Sequence, residues 1–312
     1  MNTFITLATV VIAVLAVAYI FFPKPIIAMT TSLIRHQSRL TSHTMIVDGE
    51  QWHYLEGGPK DAELMVLVHG FGADKDNWTL YARYFTHKYR VIAPDLPGFG
   101  DSCWKTQRDY SAASQTARLH RFLQAKGLDK YHMAGNSMGG YITLTYALKY
   151  PQNLMTIALF NSAGVKGEHR CELDHAIQAG KNLFEVSSLE DFDRLLSLVA
   201  HKPIKIPNVF RRVKYQELIE RQPHLNGVFW SVMSEIEQQP LNDKLPRVGV
   251  PCLIVWGRHD RLIDVSCVDV LSDSIDNSSS VILEDVGHVP MLECPQDVAQ
   301  HHIRYIESAT PV

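Results

Sequence analysis

The sequence predicts an α/β fold in which short, buried, parallel strands alternate with helices. Two observations support this prediction: short apolar runs recur along the chain, and segments with helical patterning separate them. The 312 residues are 46% hydrophobic and 20% charged, which suits a packed globular core rather than a disordered chain. The formal net charge of -3 gives no electrostatic case for a nucleic-acid partner.

The predicted strands follow one another from residue 44 onward. Thr44–Glu56 alternates in polarity around Asp48-Gly49, a favourable hairpin turn. Short runs then predict buried strands, of which the last is the weakest: Leu64–Val68, Arg90–Ala93, Lys130–Ala134, Leu154–Phe160, Pro251–Trp256 and Ser280–Leu283. Helical patterns between them predict helices at Trp78–Thr86, Ser111–Lys126 and Met138–Lys149. In such a sheet, functional residues gather at the carboxyl edge, where the strands end.

The N-terminal segment differs from the rest of the chain because Thr3–Phe22 contains no charged residue. A helix of this length spans about 30 Å, the thickness of the hydrocarbon core of a bilayer. A cleaved signal peptide would need a basic region before the apolar run, and only Met1 and Asn2 precede it. A buried core helix would be unusually long and uninterrupted. We therefore predict that residues 1–25 form a single-pass membrane anchor, in a bacterial cytoplasmic membrane.

Two properties of this anchor stay open. Lys24, Arg35 and Arg39 follow the span and no basic residue precedes it, which favours a cytoplasmic catalytic domain under the positive-inside rule. Three charges spread over sixteen residues do not decide which side of the membrane the domain faces. The span also carries small residues that would let two copies pack closely, so a homodimer through the N-terminal helices is one expectation. These residues are Ala8, Ala13 and Ala16.

Residues 26–43 are predicted to form a juxtamembrane helix that lies near the membrane interface. In Ile26–Leu40, one helical face is mostly apolar and basic residues lie beyond it. That face consists of Ile26, Met29, Thr30, Leu33 and Ile34. An amphipathic linker helix packed on the domain explains the same pattern equally well, so both interpretations stay open.

Between about residues 163 and 245 the short apolar runs that predict strands no longer occur, and the pattern is helical throughout. Helices are predicted at His175–Phe184, Leu189–Ala200, Asn208–Arg221 and Asn226–Gln239. Strands precede and follow this block. We therefore interpret residues 44–162 and 246–312 as one core, and residues 163–245 as a helical lid inserted over the strand-end site.

Gly135-Asn136-Ser137-Met138-Gly139 follows a predicted strand and opens a predicted helix. A serine between two glycines at a strand-to-helix turn is the pattern of a nucleophile elbow. The glycines leave room where the turn is too sharp for Cβ atoms, and strain holds the Ser137 hydroxyl out of the sheet edge. The following helix places its positive end near the oxygen that becomes charged during the reaction.

Further motifs occur in a fixed order along the chain: Val68-His69-Gly70-Phe71-Gly72, Pro94-Asp95-Leu96-Pro97-Gly98-Phe99-Gly100, Gly257-Arg258-His259-Asp260 and Gly287-His288-Val289-Pro290. With the serine turn, they make the region from about Gly49 to Pro295 resemble the α/β-hydrolase family. The resemblance is to the branch of monoacylglycerol lipases and membrane-anchored bacterial lipases and phospholipases. It implies an α/β-hydrolase fold, with a mostly parallel eight-stranded sheet and flanking helices. The insert and the anchor add a helical lid and an N-terminal transmembrane helix.

The catalytic residues can be assigned by their positions. Ser137 is a weak nucleophile until a base takes its proton, and His288, which follows a strand, is the natural base. Asp260, after the strand that ends at Trp256-Gly257, would orient the imidazole, with Asp264 as the rival acid. The order serine, aspartate, histidine along the chain is that of the family.

The oxyanion hole needs two backbone N–H donors beside the carbonyl oxygen of the substrate. Met138, directly after the nucleophile, would supply one donor, and the resemblance assigns the other to Phe71. The resemblance also makes His69 a structural brace of the loops. Asp95 is predicted to fix the turn that follows its strand.

Other chemistry-bearing residues receive structural predictions. The pair His301-His302 lacks the helical spacing and the neighbouring acids of a metal site, and it is predicted to lie on the surface. The five cysteines are scattered and show neither zinc-site spacing nor a disulfide framework. We therefore expect no metal and no cofactor.

Serine rather than aspartate at position 137 argues against epoxide and halide chemistry, so acyl transfer to water is the default reaction. With the anchor, this predicts a hydrolase of monoacylglycerol, lysophospholipid or phospholipid esters, for which membrane lipid is both substrate and anchor surface. The predicted substrate contacts are Asn136, Phe229, Trp230 and Val289.

Two alternatives belong to other classes. The elbow sequence also resembles carbon–carbon bond hydrolases of meta-cleavage products. Those enzymes are soluble and usually carry Trp after the catalytic histidine, where this chain has Val289-Pro290. A non-catalytic, membrane-bound binding protein on a hydrolase fold would have lost a triad or oxyanion position, and none is lost here.

Overall fold

The computed structural model describes residues 21–105 and 108–309. Its strands are β1 Leu40–Val47, β2 Glu50–Gly57, β3 Leu64–Val68, β4 Arg90–Pro94, β5 Tyr131–Asn136, β6 Leu154–Phe160, β7 Cys252–Gly257 and β8 Ser278–Leu283. They form one sheet in the order β1-β2-β4-β3-β5-β6-β7-β8. The pairs β1/β2 and β2/β4 are antiparallel and the other pairs are parallel. The prediction of a mostly parallel eight-stranded sheet is confirmed.

The α-helices of the described residues are α1 Pro23–Gln37, α2 Thr79–Ala82, α3 Ala112–Ala125, α4 Met138–Lys149, α5 Glu172–Gln178, α6 Leu189–Val199, α7 Asn208–Gln238, α8 Cys267–Ser274, α9 Pro290–Glu293 and α10 Pro295–Ala309. Short 3₁₀ turns occur at Lys75–Trp78, Pro151–Asn153 and Asn242–Arg247. β3, β6 and α4 have the bounds that the sequence predicts.

The hairpin between β1 and β2 turns at Asp48 and Gly49, which both have positive φ, 52° and 73°. Positive φ at both central residues is the geometry of a type I′ turn, which matches the twist of the flanking strands. β1 begins at Leu40, so residues 40–43, predicted as the end of the juxtamembrane segment, belong to the sheet.

The parallel strands are buried on both faces, as their continuous apolar runs predict. In β3, Val66 and Val68 pack into one hydrophobic cluster, and Met65 and Leu67 pack into another. Helices therefore cover both sides of the sheet, and its carboxyl edge is left for loops. The loops after β3, β5, β7 and β8 carry the predicted catalytic residues to this edge.

The predicted membrane span lies mostly outside the described residues, because the structure does not describe residues 1–20. No helix among residues 21–105 and 108–309 is long and apolar enough to cross a bilayer. α1 packs on the domain: the Arg35 guanidinium donates to both carboxylate oxygens of Asp76, at 2.7 and 2.5 Å. Phe22, Met29 and Leu33 are 61%, 68% and 54% exposed. α1 thus has one face on the protein and an apolar face in solvent.

The helical block lies between β6 and β7, as predicted, but its helices differ. α7 is one helix of 31 residues, so the predicted break between Asn208–Arg221 and Asn226–Gln239 is wrong. Pro223 lies inside this helix and removes one backbone donor. The helix continues because both halves are packed, with Val213 buried before the proline and Val228 buried after it. We call residues 163–245 the helical insert.

The prediction that His302 lies on the surface is wrong. α10 turns Val298, His302 and Ile306 inward, at a spacing of four residues that keeps them on one face of a helix. His302 is fully buried and its Nδ1 lies 2.5 Å from the hydroxyl oxygen of Tyr81. Burial lowers the pKa of His302 to about 3, so the imidazole is neutral at physiological pH.

Candidate active site

Ser137 occupies a sharp turn between β5 and α4. Its φ and ψ are 56° and −119°, a conformation that residues other than glycine rarely adopt. The side chain is half-buried and lines a cavity at the carboxyl edge of the sheet. The turn therefore has the strained geometry that a nucleophile elbow requires.

The two glycines of the motif are required by close backbone contacts. A Cβ on Gly135 would lie 2.2 Å from the carbonyl oxygen of Gly139. A Cβ on Gly139 would lie 2.1 Å from the carbonyl oxygen of Val68, at the end of β3. Both distances are impossible for real atoms, so α4 can approach β3 and β5 this closely only with glycine at these positions.

His288 and Asp260 form a buried pair beside the cavity. The His288 Nδ1–H donates to Asp260 Oδ2 at 2.8 Å, since a buried carboxylate can only accept. Asp260 Oδ1 accepts from the backbone N–H groups of Leu262 and Ile263, at 2.8 and 3.0 Å. The side chains of His288 and Asp260 are 4% and 0% exposed. Asp264, the rival acid, instead accepts from the N–H of Ser266.

Asn161 is a polar residue of this site that no sequence motif identifies. Its amide Nδ2 donates to Asp260 Oδ2 at 2.6 Å and to the carbonyl of Gly287 at 3.3 Å. Its backbone has a positive φ of 46°. Asn161 follows β6 directly, so its position at a strand end was the signal that could have identified it.

Asn136, predicted to contact substrate, has mainly a structural environment. It lines the cavity, but its Nδ2 donates to the carbonyls of Phe160 and His288, both at 3.0 Å. These hydrogen bonds join the nucleophile turn to the backbone of the histidine loop. Asn136 is therefore better described as a positioning residue than as a substrate ligand.

The two predicted oxyanion donors lie on either side of the serine turn. Met138 is the first residue of α4, so its N–H has no partner within the helix. Phe71 follows β3 and lines the same cavity as Ser137. His69 braces this loop: its Nδ1 donates to the Gly70 carbonyl at 2.8 Å and its Nε2 accepts from the Leu96 N–H at 3.0 Å. Burial lowers the pKa of His69, which keeps the ring neutral.

A buried ion pair between Lys75 and Asp95 also fixes the loop after β3, at the end of the loop that lies beyond Phe71. Lys75 Nζ donates to Asp95 Oδ2 and to Asp101 Oδ2, both at 2.7 Å. Burial lowers the pKa of Lys75, but these two carboxylates outweigh burial and the net pKa is raised. Asp95 also accepts from the backbone N–H of Lys75 and of Asp101. The loop that carries Phe71 is thus tied to the turn after β4.

The cavity has a volume of about 440 Å³ and its wall is mostly apolar. Core loops contribute Phe71, Phe99, Ser137, His288 and Val289, and the helical insert contributes Phe184, Phe192, Leu195, Leu196 and Val199. Phe229 and Trp230, predicted to contact substrate, are not among the lining residues. Phe229 packs behind the wall against Phe71 and Phe184, with ring centroids 5.7 and 5.8 Å apart.

The sheet order, the strained serine turn and the paired histidine and aspartate define an α/β protein built around a nucleophile elbow. Comparison with known families leads to the same class. The chain belongs to the alpha/beta hydrolase family, whose model matches residues 65–301.

Individual relatives include lipases and a phospholipase. Lipase 1 of Psychrobacter immobilis is 32% identical over 286 residues, which cover 90% of this chain and 90% of that protein. Monoacylglycerol lipase ABHD6 of Mus musculus is 26% identical over 261 residues, 81% of this chain and 78% of the relative. A crystal structure of a bacterial membrane phospholipase A is 35% identical, with a TM-score of 0.90 over 100% of both chains. The resemblance expected from the motifs is confirmed.

Proposed function

We propose that the chain is a membrane-anchored serine hydrolase that cleaves carboxylic esters of acyl lipids through an acyl-enzyme on Ser137. That it is a carboxylic-ester hydrolase follows from its lipase and phospholipase relatives. The observation that carries the proposal is the cavity, in which Ser137 and His288 meet a mostly apolar wall. A lipid ester has a polar carbonyl at the end of an apolar chain, and this cavity offers a surface for each.

The first chemical step is the attack of Ser137 Oγ on the carbonyl carbon of the ester. His288 Nε2 takes the hydroxyl proton as the new C–O bond forms. The hydrogen bond from His288 Nδ1–H to Asp260 supports this role, because it selects the tautomer in which Nε2 is the base. Asp260 then stabilises the imidazolium that results.

The tetrahedral intermediate carries its negative charge on the former carbonyl oxygen, which the N–H groups of Met138 and Phe71 would bind. Its collapse breaks the bond to the alcohol, and His288 returns the proton to that leaving group. A water molecule, deprotonated by His288, then attacks the acyl-Ser137 ester and releases the fatty acid. The serine hydroxyl recovers its proton from His288, which completes the cycle.

The cavity wall supports an acyl chain that carries a polar head. Phe71, Phe184 and Leu195 supply apolar surface, while Lys214 and Arg221 of α7 also line the cavity. Monoacylglycerol, lysophospholipid and phospholipid all combine these two properties. Because α6 and α7 form part of the wall, the helical insert would act as a lid that moves to admit such a molecule.

The outer face of α1 supports attachment to a membrane. Met29 and Leu33 of α1 are spaced by four residues, so they lie on one helical face, and both are exposed. Phe22, which directly precedes the helix, is exposed as well. Ile204 of the helical insert is 42% exposed and lines the cavity. Apolar side chains on such a helix favour insertion at the bilayer interface.

The chemistry is tested with the purified full-length chain and its Ser137→Ala variant. Substrates are p-nitrophenyl esters of increasing chain length, micellar monoacylglycerol and lysophospholipid, and phospholipid vesicles. We expect turnover of acyl esters by the wild type and a loss of kcat of about 10⁶-fold in the variant, as for removal of a serine nucleophile. Mass spectrometry of a quenched reaction should find the acyl group on the peptide that contains Ser137.

Two outcomes contradict the proposal. Full activity of Ser137→Ala toward esters would exclude the acyl-enzyme on this residue. Turnover of dienol ring-fission compounds without ester cleavage would instead identify a carbon–carbon bond hydrolase.

The anchor is tested separately, by washing membranes that contain the chain with alkaline carbonate. We expect the full-length chain to stay in the membrane pellet and a chain that lacks residues 1–20 to be released. The esterase activity of the released chain serves as the control for folding. Extraction of the full-length chain by carbonate would exclude a spanning anchor without affecting the assignment of the chemistry.

A further inference from the structure

We propose that His201, His259 and Asp285 form a binding site for a divalent transition-metal ion where the helical insert meets the core. One ligand atom from each residue lies within 4.8 Å of the other two. The three residues come from separate segments: His201 follows α6, His259 follows β7 and Asp285 follows β8. No local spacing motif joins them, which is why the sequence predicted no metal.

The backbone of each segment is held in place by hydrogen bonds. The His201 N–H donates to Glu293 Oε2 at 2.8 Å, and the His259 N–H donates to the Val286 carbonyl at 2.9 Å. The two imidazole rings are stacked, with centroids 4.0 Å apart and planes inclined by 13°. The segments are therefore fixed, while the three side chains are exposed and can rotate.

The two imidazole rings must rotate out of their stack to bind one ion, because a bound metal lies in the plane of each ring and the planes are now nearly parallel. Zinc binds imidazole nitrogen and carboxylate oxygen at about 2.0–2.2 Å, so two ligands in a tetrahedral site lie roughly 3.3 Å apart. Rotation of exposed side chains can close the gap from at most 4.8 Å to that separation. Because the site is exposed, water would complete the coordination.

The donor set selects the class of ion. Two imidazole nitrogens and one carboxylate oxygen are typical ligands of zinc and of cobalt, nickel or copper. Magnesium and calcium prefer sites made of oxygen ligands, and this cluster offers a single carboxylate. We therefore expect zinc to bind and magnesium not to bind.

The proposed metal site lies next to the loops of both catalytic side chains and to the end of α6, so a bound ion would link these segments. His259 precedes Asp260 in the chain, and Asp285 lies three residues before His288. The His288 N–H also donates to the carbonyl of Val199, at the end of α6, at 3.0 Å. An ion held by the cluster would add a second tie between α6, which forms part of the cavity wall, and the loops of both catalytic side chains. It would restrain movement of α6.

Metal binding is tested with the metal-free full-length chain by calorimetric titration with zinc chloride. We expect one zinc ion per chain, and visible absorption of a low-symmetry complex when cobalt replaces zinc. Zinc should slow amide hydrogen exchange in residues 189–204 and raise the melting temperature, whereas magnesium chloride should do neither. These readouts do not depend on hydrolytic activity.

Matched variants assign the site. His201→Gln and Asp285→Asn should each weaken zinc binding at least about tenfold, because loss of a direct ligand costs no less than loss of an outer-shell partner. His87→Gln, at an exposed histidine elsewhere, is the control and should bind zinc like the wild type. A metal-free melting temperature equal to that of the wild type shows that each variant is folded. Unchanged zinc affinity in both variants, or no saturable zinc binding by the wild type, overturns the proposal.

Discussion

The sheet core and the helical insert both form the cavity, but different interactions hold them. In the core, the buried polar groups around the catalytic pair bond to one another: Asp260 accepts hydrogen bonds from Asn161, Leu262, Ile263 and His288. In the insert, ion pairs lie at the surface, such as Arg211 with Asp193, whose side chains are 28% and 46% exposed. Exposed pairs contribute little to stability, whereas a buried network fixes its members in one geometry. The core is therefore suited to chemistry and the insert to substrate fit.

The largest expected effect comes from removing a charge of the core network. Asp260→Asn should lower kcat toward esters by about 10⁴-fold, because the amide cannot select the correct tautomer of His288 or stabilise its charged form. Steady-state kinetics of the purified variant measures this loss. Asp264→Asn is the matched control and should stay near the wild-type rate, since Asp264 accepts from Ser266 instead. A wild-type rate in Asp260→Asn would assign the acid to another residue.

Elements of the core whose structure depends on local sequence could be predicted from the sequence. The bounds of β3, β6 and α4 follow from the sequence because each is a short apolar run or a motif that sterics enforce. Gly135 and Gly139 are an example, since any side chain there would collide with a backbone carbonyl. Local chemistry dictates structure at these positions, so a local pattern is sufficient to predict it.

The rest depends on contacts that no local pattern records. The continuity of α7 through Pro223 depends on packing on both sides of the proline. The burial of His302 depends on which face α10 turns to the sheet, and the contact of Asn161 with Asp260 depends on the juxtaposition of β6 and β7. Phe229 is predicted to contact substrate, but it packs against Phe71 and Phe184 and does not line the cavity. These are long-range arrangements, and the sequence indicates only the residues available to make them.

The next largest effect concerns the stability of the core. Lys75→Met should lower the free energy of unfolding by about 3–5 kcal/mol, because it leaves the carboxylate of Asp95 buried without its cation. The side chains of Lys75 and Asp95 are only 2% and 0% exposed. Urea unfolding at pH 7 measures the change. Asp101→Asn is the control, because that side chain is 57% exposed and its loss should cost less than about 1 kcal/mol. Equal stability of the two variants would contradict the contrast between buried and exposed pairs.

A substitution in the insert should change specificity rather than the chemical step. Phe184→Ala removes apolar surface from the cavity wall and should lower kcat/KM for long-chain esters by roughly tenfold to a hundredfold, about 1–3 kcal/mol. Short-chain esters should be affected less, because they bury less apolar surface in the cavity. Hydrolysis rates across a series of p-nitrophenyl esters give the comparison.

Trp230→Ala is the matched control for this prediction. Trp230 packs against Phe229 behind the wall, with ring centroids 5.1 Å apart. Its loss should lower the melting temperature while it leaves the order of preference among chain lengths unchanged. An equal loss for all chain lengths in Phe184→Ala would mean that the insert takes part in the chemical step.

The smallest expected effect is the response of the core to acid. Burial lowers the pKa of His302 to about 3, so between about pH 6.5 and pH 3 the unfolded chain binds a proton there that the folded chain does not. Stability should therefore fall by about 1.4 kcal/mol per pH unit as the pH decreases through this window. His302→Gln should remove that part of the slope, and His87→Gln, at an exposed site, should keep it. Urea unfolding at pH 7, 6 and 5 measures the slopes, and equal slopes in wild type and His302→Gln would show that His302 is protonated in the folded core.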